Sequence, residues 1–138
     1  MAGSSHERMA RPRILVIDDE EISGHMLAGL LEEGGFAVTR LSSPLGATRA
    51  ALRQDFAAVV VDLNMPAMTG DRLVQLFRSN ERLRDLPVVL VSGEPPERLR
   101  EISDELGNVT PVTKRRVQIE LVPAVRALQL EGAGSDTG

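Results

Sequence analysis

Three short apolar runs end abruptly in polar side chains: Arg13–Ile17 before Asp18, Ala58–Val61 before Asp62, and Pro87–Val91 before Ser92. Continuous apolar runs of this length are the mark of strands buried on both faces, the condition of a parallel sheet. Open parallel α/β sheets gather their chemistry at the carboxyl ends of the strands. The runs therefore predict one sheet edge that carries several carboxylates and a hydroxyl. Lys114 extends the pattern, since it follows the run Val109–Thr113 and is the only lysine beside fifteen arginines.

The segments between these runs read as helices. Glu20–Glu33 carries Ile22, Met26, Leu27, Leu30 and Leu31 as an apolar stripe, and Gly34-Gly35 ends it. Ala37–Leu41 is a further strand. Pro44–Gln54 is a helix with Ala47, Ala50 and Ala51 on one side. After a loop at Asn64–Gly70, Asp71–Asn80 is a helix with Leu73, Leu76 and Phe77 inward. Pro96–Leu106 is a short polar helix, and Ile119–Leu130 is the last. Five β–α units in alternation predict an α/β fold, a doubly wound five-stranded parallel sheet with five helices and right-handed crossovers. The flavodoxin-like strand order 2-1-3-4-5 fits five units. The expected organisation is a disordered tail over 1–11, one domain over 12–130 and a disordered Gly/Ser/Asp-rich tail over 131–138.

Composition removes several function classes. A chain of 138 residues with 42% hydrophobic content suits one globular domain. The net charge of −4 argues against general nucleic-acid binding. With no cysteine, disulfides and thiol chemistry are unavailable. No apolar stretch reaches membrane-spanning length and no signal-peptide core opens the chain, so a cytoplasmic protein without membrane contact is expected.

The polar ends of the runs carry the chemistry. Asp18-Asp19-Glu20 would repel phosphate by itself, but with a hard divalent cation between them it would attract it. Magnesium takes a few carboxylates together with water and phosphate oxygens. The plainer alternative makes Asp19 the N-cap of the first helix. Asp62 decides between the two, because it follows Val59-Val60-Val61 and so stands at a buried strand end. Three clustered aspartates repel one another and favour a bound cation. Met65 and Met68 read as gap-fillers. His6 and His25 have no metal-ligand companions, and Lys114-Arg115-Arg116 reads as a solvated edge or a docking patch rather than a nucleic-acid site.

With these residues in hand, the sequence resembles the receiver domain of two-component response regulators over about residues 12 to 130, most specifically in Val60–Gly70. The resemblance implies that Asp62 is the phosphoacceptor. It implies that Asp18 and Asp19 hold Mg2+ together with Asp62 and the backbone carbonyl of Asn64. Ser92 becomes the switch hydroxyl, and Lys114 the cation that pairs with the phosphoryl group. Asn64 and Glu94 become a lifetime-tuning pair of the chemotaxis type, implying a short-lived mark. The implied partners are a histidine kinase or histidine phosphotransfer protein upstream and a protein target downstream. The reading is a stand-alone receiver, not a classical enzyme, that assists its own phosphorylation and dephosphorylation. The bland variant is a receiver excised from a larger protein.

Four features depart from the family. Arg115 stands where the family follows its lysine with a cis proline, which predicts either a trans bond with a rearranged loop or a strained cis bond costing about 3 kcal/mol. Pro111 replaces an aromatic. Pro95-Pro96 stiffens the loop after Ser92, and Pro123 kinks the last helix unless it lies in the first turn. Two other functions compete. One is a pseudo-receiver binding module that takes no phosphate. The other is an aspartyl-phosphate phosphatase, which would carry a second aspartate where this chain has Asn64.

Overall fold

The computed structural model describes residues 11–137. Five strands form one parallel sheet: β1 (Arg13–Ile17), β2 (Ala37–Leu41), β3 (Ala58–Asp62), β4 (Val88–Ser92) and β5 (Val109–Thr113). Their order is β2-β1-β3-β4-β5, the order expected from the sequence. The helices are α1 (Glu21–Glu33), α2 (Ala47–Arg53), α3 (Gly70–Arg78), α4 (Pro96–Leu106) and α5 (Val117–Thr137), with a 3-10 turn at Lys114–Arg116 before the last.

Side chains alternate across the pleat, so each apolar strand feeds two cores. Leu15, Ile17, Val59, Val61 and Leu90 face a layer that includes Ala47, Ala51, Leu73, Phe77 and Leu99 from α2, α3 and α4. Ile14, Val16, Val60, Val89 and Val91 face Leu27, Leu31, Leu121 and Val125 from α1 and α5. Each fully buried Val or Leu contributes about 1.5–3 kcal/mol relative to exposure.

The inward faces of two helices differ from the sequence expectation. In α1 the buried residues are Gly24, Leu27, Ala28 and Leu31, whereas Ile22 is 87% exposed and Met26 36%. Arg40 of β2 reaches over Gly24: a Cβ there would lie 3.2 Å from its guanidinium. In α3 it is Val74, not Leu76, that joins Leu73 and Phe77 in the core. The last helix begins at Val117, which puts Pro123 in its interior rather than its first turn. Pro123 donates no bond to the Ile119 carbonyl, and both residues lie on the exposed side. The backbone stays helical past Leu130 to Thr137, into the stretch expected to be disordered. The apolar stripe stops at Leu130, but no proline or charge run halts the helix, and Gly132 and Gly134 cost only about 1 kcal/mol each relative to Ala. The expected N-terminal tail falls, over 1–10, outside the described residues, as does His6.

The sheet end away from the carboxylates is tied by a half-buried arginine. Arg78, at the end of α3, donates to the carbonyls of Arg84, Leu86, Gly107 and Asn108 at 3.1, 2.9, 3.3 and 3.1 Å. It thereby links α3, the chain entering β4 and the α4–β5 turn, where Gly107 and Asn108 both have positive φ. Burial lowers the guanidinium pKa, offset in part by Asp85.

Candidate functional site

Strand register brings the polar ends together. Ile17 pairs with Val61, so Asp18 and the strand-end Asp62 leave neighbouring strands at the same level. Asp62 pairs with Val91, and Ser92 with Thr113, so Ser92 follows one step beyond Asp62 and Lys114 one step beyond Ser92. Asp18, Asp62 and Ser92 are 1%, 2% and 0% exposed. Carboxylates at that depth require partners.

Asp18, Asp19 and Asp62 each offer a carboxylate oxygen, and these oxygens lie within 4.8 Å of one another. Asp18 Oδ1 accepts the Glu20 N–H at 3.0 Å, closing the turn into α1, while its Oδ2 is buried with no hydrogen-bond partner. The N-cap of α1 is Glu20, without a side-chain bond, so Asp19 does not act as the cap. A buried unpaired carboxylate oxygen beside two further carboxylates fits a hard divalent cation held by oxygen ligands.

Asp62 Oδ1 accepts the Asn64 N–H at 3.3 Å and lies 3.7 Å from Lys114 Nζ. The carboxyl pKa is nevertheless raised. Burial is the largest cause, and Asp18 and Asp19 push the same way, against the lowering influence of Lys114 and the Asn64 amide. Desolvation thus outweighs the ammonium, whose side chain is itself 36% exposed.

Ser92 Oγ accepts the Glu94 N–H at 2.9 Å and donates to Asn64 Oδ1 at 3.0 Å. The described residues contain no cis peptide bond, so Lys114–Arg115 is trans. Of the two expected outcomes the trans bond is the one found, and the chain after β5 runs through a 3-10 turn at Lys114–Arg116. Arg116 turns outward to pair with Glu120 at 2.6 Å, and Arg115 is exposed. A cleft of about 590 Å³ opens beside Ser92, walled by Glu94, Pro95, Arg115 and Arg116. Met65 and Met68 pack into the core beneath the site. His25 lies at the surface near Arg40, 3.1 Å from the guanidinium.

Sequence reasoning missed one supporting residue. Gly70 donates its N–H to the Leu63 carbonyl at 2.8 Å, and a Cβ there would stand 2.6 Å from the Asp62 carbonyl and 2.9 Å from Leu63 Cα. Only glycine lets α3 begin against the strand end that presents Asp62. The signal was present as a lone Gly at the end of a loop, but its meaning depends on backbone that arrives from β3.

A parallel five-stranded sheet with an acidic cluster, a hydroxyl and an ammonium at one edge defines a receiver-type α/β domain. The chain belongs to the response regulator receiver domain family, whose model matches residues 14–126. Among curated relatives, the two-component response regulator ORR5 of Oryza sativa subsp. japonica is 30% identical over 89 residues, covering 64% of this chain and 66% of that protein. The sensory transduction protein RegX3 of Mycolicibacterium smegmatis is 30% identical over 123 residues, covering 89% of this chain and 53% of that one. The chain thus spans about two thirds of the first relative and about half of the second. A sensor protein from Polaromonas sp. JS666 superposes with a TM-score of 0.78 at 32% identity, covering 86% of this chain and 97% of that one. No helix among the described residues is long and apolar enough to cross a membrane.

Proposed function

We propose that the protein is a phosphoacceptor switch of two-component signalling, with Asp62 as the acceptor. The observation that carries this is the pairing of a buried Asp62 with Lys114 at 3.7 Å beside the unpartnered Asp18 oxygen. The contacts of Asp62 with Asn64 and Lys114 both fall on Oδ1, which leaves Oδ2 for attack. An oxygen of Asp62 attacks the phosphorus of a phosphohistidine in line. The P–O bond forms as the P–N bond breaks, and the electron pair leaves with the imidazole. Such a transfer is mostly positioning and charge neutralisation. Lys114 supplies a compact positive charge for the phosphoryl oxygens. Asp18, Asp19 and Asp62, with the Asn64 carbonyl, would hold Mg2+. That cation supplies charge neutralisation at the same oxygens. Ser92 then turns its hydroxyl to the phosphoryl group and carries the following loop with it, a shift between two populations. Asn64 and Glu94 flank the phosphoryl group and tune its lifetime.

The upstream donor is a histidine kinase or phosphotransfer domain that docks on α1 and the Lys114–Arg116 turn. The exposed Ile22 and Met26 of α1 and Ile119 of α5 support that surface. The downstream target reads α4, β5 and α5. Arg115 leaves Lys114 within reach of Asp62, which favours a working receiver over a phosphate-blind binding module. The experiment is titration of 15N-labelled protein with beryllofluoride and Mg2+. Shifts at Asp62, Ser92 and Lys114 that vanish in EDTA support the reading. An unchanged spectrum contradicts it.

A further inference from the structure

Asn64 touches both Asp62 and Ser92. Its backbone N–H reaches Asp62 Oδ1 at 3.3 Å, and its side-chain oxygen takes the Ser92 hydroxyl at 3.0 Å. The Ser92 hydroxyl has one proton. Because Oγ already accepts the Glu94 N–H at 2.9 Å, that proton serves Asn64. The Glu94 bond is local and can travel with the loop; the Asn64 bond spans two strand ends and cannot. Ser92 is fully buried, so its donor must keep an acceptor.

We propose that Asn64 is a positioning residue that latches Ser92 in the resting conformation, competing with the phosphoryl group for the serine proton. This rests on the phosphoacceptor reading above. In the resting protein the Asn64 oxygen satisfies Ser92 and holds the Ser92–Glu94 turn against the β3 loop. In the phosphorylated protein a phosphoryl oxygen takes the same proton, and the latch opens. No covalent step is involved. The role differs from lifetime tuning, because it acts on the resting population rather than on hydrolysis.

The test uses the full chain and two readouts. Removing the latch by Asn64→Ala leaves the backbone carbonyl and N–H in place. It is expected to speed exchange of the Glu94 amide in the ligand-free protein. It is also expected to tighten Mg2+-beryllofluoride binding by about three- to tenfold, the range for losing one neutral hydrogen bond from the resting state. In a Ser92→Ala background the same substitution is expected to leave beryllofluoride affinity unchanged. A beryllofluoride response with unaltered Glu94 exchange overturns the latch alone. A gain that persists in Ser92→Ala also overturns it, assigning the effect to Asn64 by itself. No beryllofluoride response in the unsubstituted protein overturns the phosphoacceptor reading, and the latch with it.

Discussion

Lys114 Nζ stands 3.7 Å from Asp62 Oδ1 across the end of β4, although the two residues leave strands that are not neighbours in the sheet. The lysine spans the intervening strand from the Lys114–Arg116 turn, where a compact ammonium on a four-carbon stem can reach down to a buried oxygen. Lys114→Met removes the largest influence that lowers the Asp62 pKa. It is expected to slow phosphoryl uptake from acetyl phosphate by about 10²-fold or more, as for loss of one preorganised charge partner. Stopped-time mass measurements of the two proteins decide it; equal rates would remove Lys114 from the chemistry.

Asp62 carries a stability cost at neutral pH. Its folded-state pKa is raised above the ordinary carboxylate value, so the folded protein binds this proton more tightly than the unfolded chain. The contribution to stability is fully present below the unfolded pKa and is lost as pH rises through the folded pKa. Asp62→Asn removes the ionised, desolvated group. In EDTA it is expected to raise Tm at pH 7, with the advantage shrinking as pH falls through the raised folded-state pKa and gone below the usual carboxylate range. Calorimetry on both proteins across that window checks the sign. A variant less stable at pH 7 would mean that Lys114 outweighs burial.

Gly70→Ala forces a methyl into the Asp62 carbonyl at 2.6 Å, where the neighbours are backbone and cannot step aside. The expected loss is about 2–4 kcal/mol, together with slower phosphoryl uptake as the β3 end shifts. Urea midpoints measure the first and acetyl phosphate kinetics the second.

Arg78→Met leaves four carbonyl oxygens without their shared donor. The expected destabilisation is about 2–4 kcal/mol, since the partly exposed carbonyls recover water. Phosphoryl uptake by the folded fraction is expected to stay near normal, because Arg78 lies at the other end of the sheet. Denaturant titration beside a phosphorylation assay separates the two effects.

Much of the sheet edge was legible because burial wrote it into the chain. Val59, Val60 and Val61 are all 0% exposed, and a polar residue after such a run has little choice but the strand end. The observed strand order fits five alternating units, although the alternation by itself leaves the order open. Helix faces were harder. Ile22 and Met26 suggested an inward stripe by size, yet Gly24 and Ala28 face inward, and Arg40 fills the space beside Gly24, a fact that only tertiary packing holds. Arg78 gave no sequence signal, since its four acceptors arrive from two separate turns. The Asn64 side chain was read for lifetime tuning, and only its backbone carbonyl for metal support. Its bond to Ser92 depends on how β3 and β4 end side by side.

Intact mass after incubation with acetyl phosphate and Mg2+ tests the central claim most directly. A gain of one phosphoryl group is expected on the unsubstituted protein, absent in EDTA and absent in Asp62→Asn. No gain on the unsubstituted protein, or a gain that survives Asp62→Asn, would contradict it.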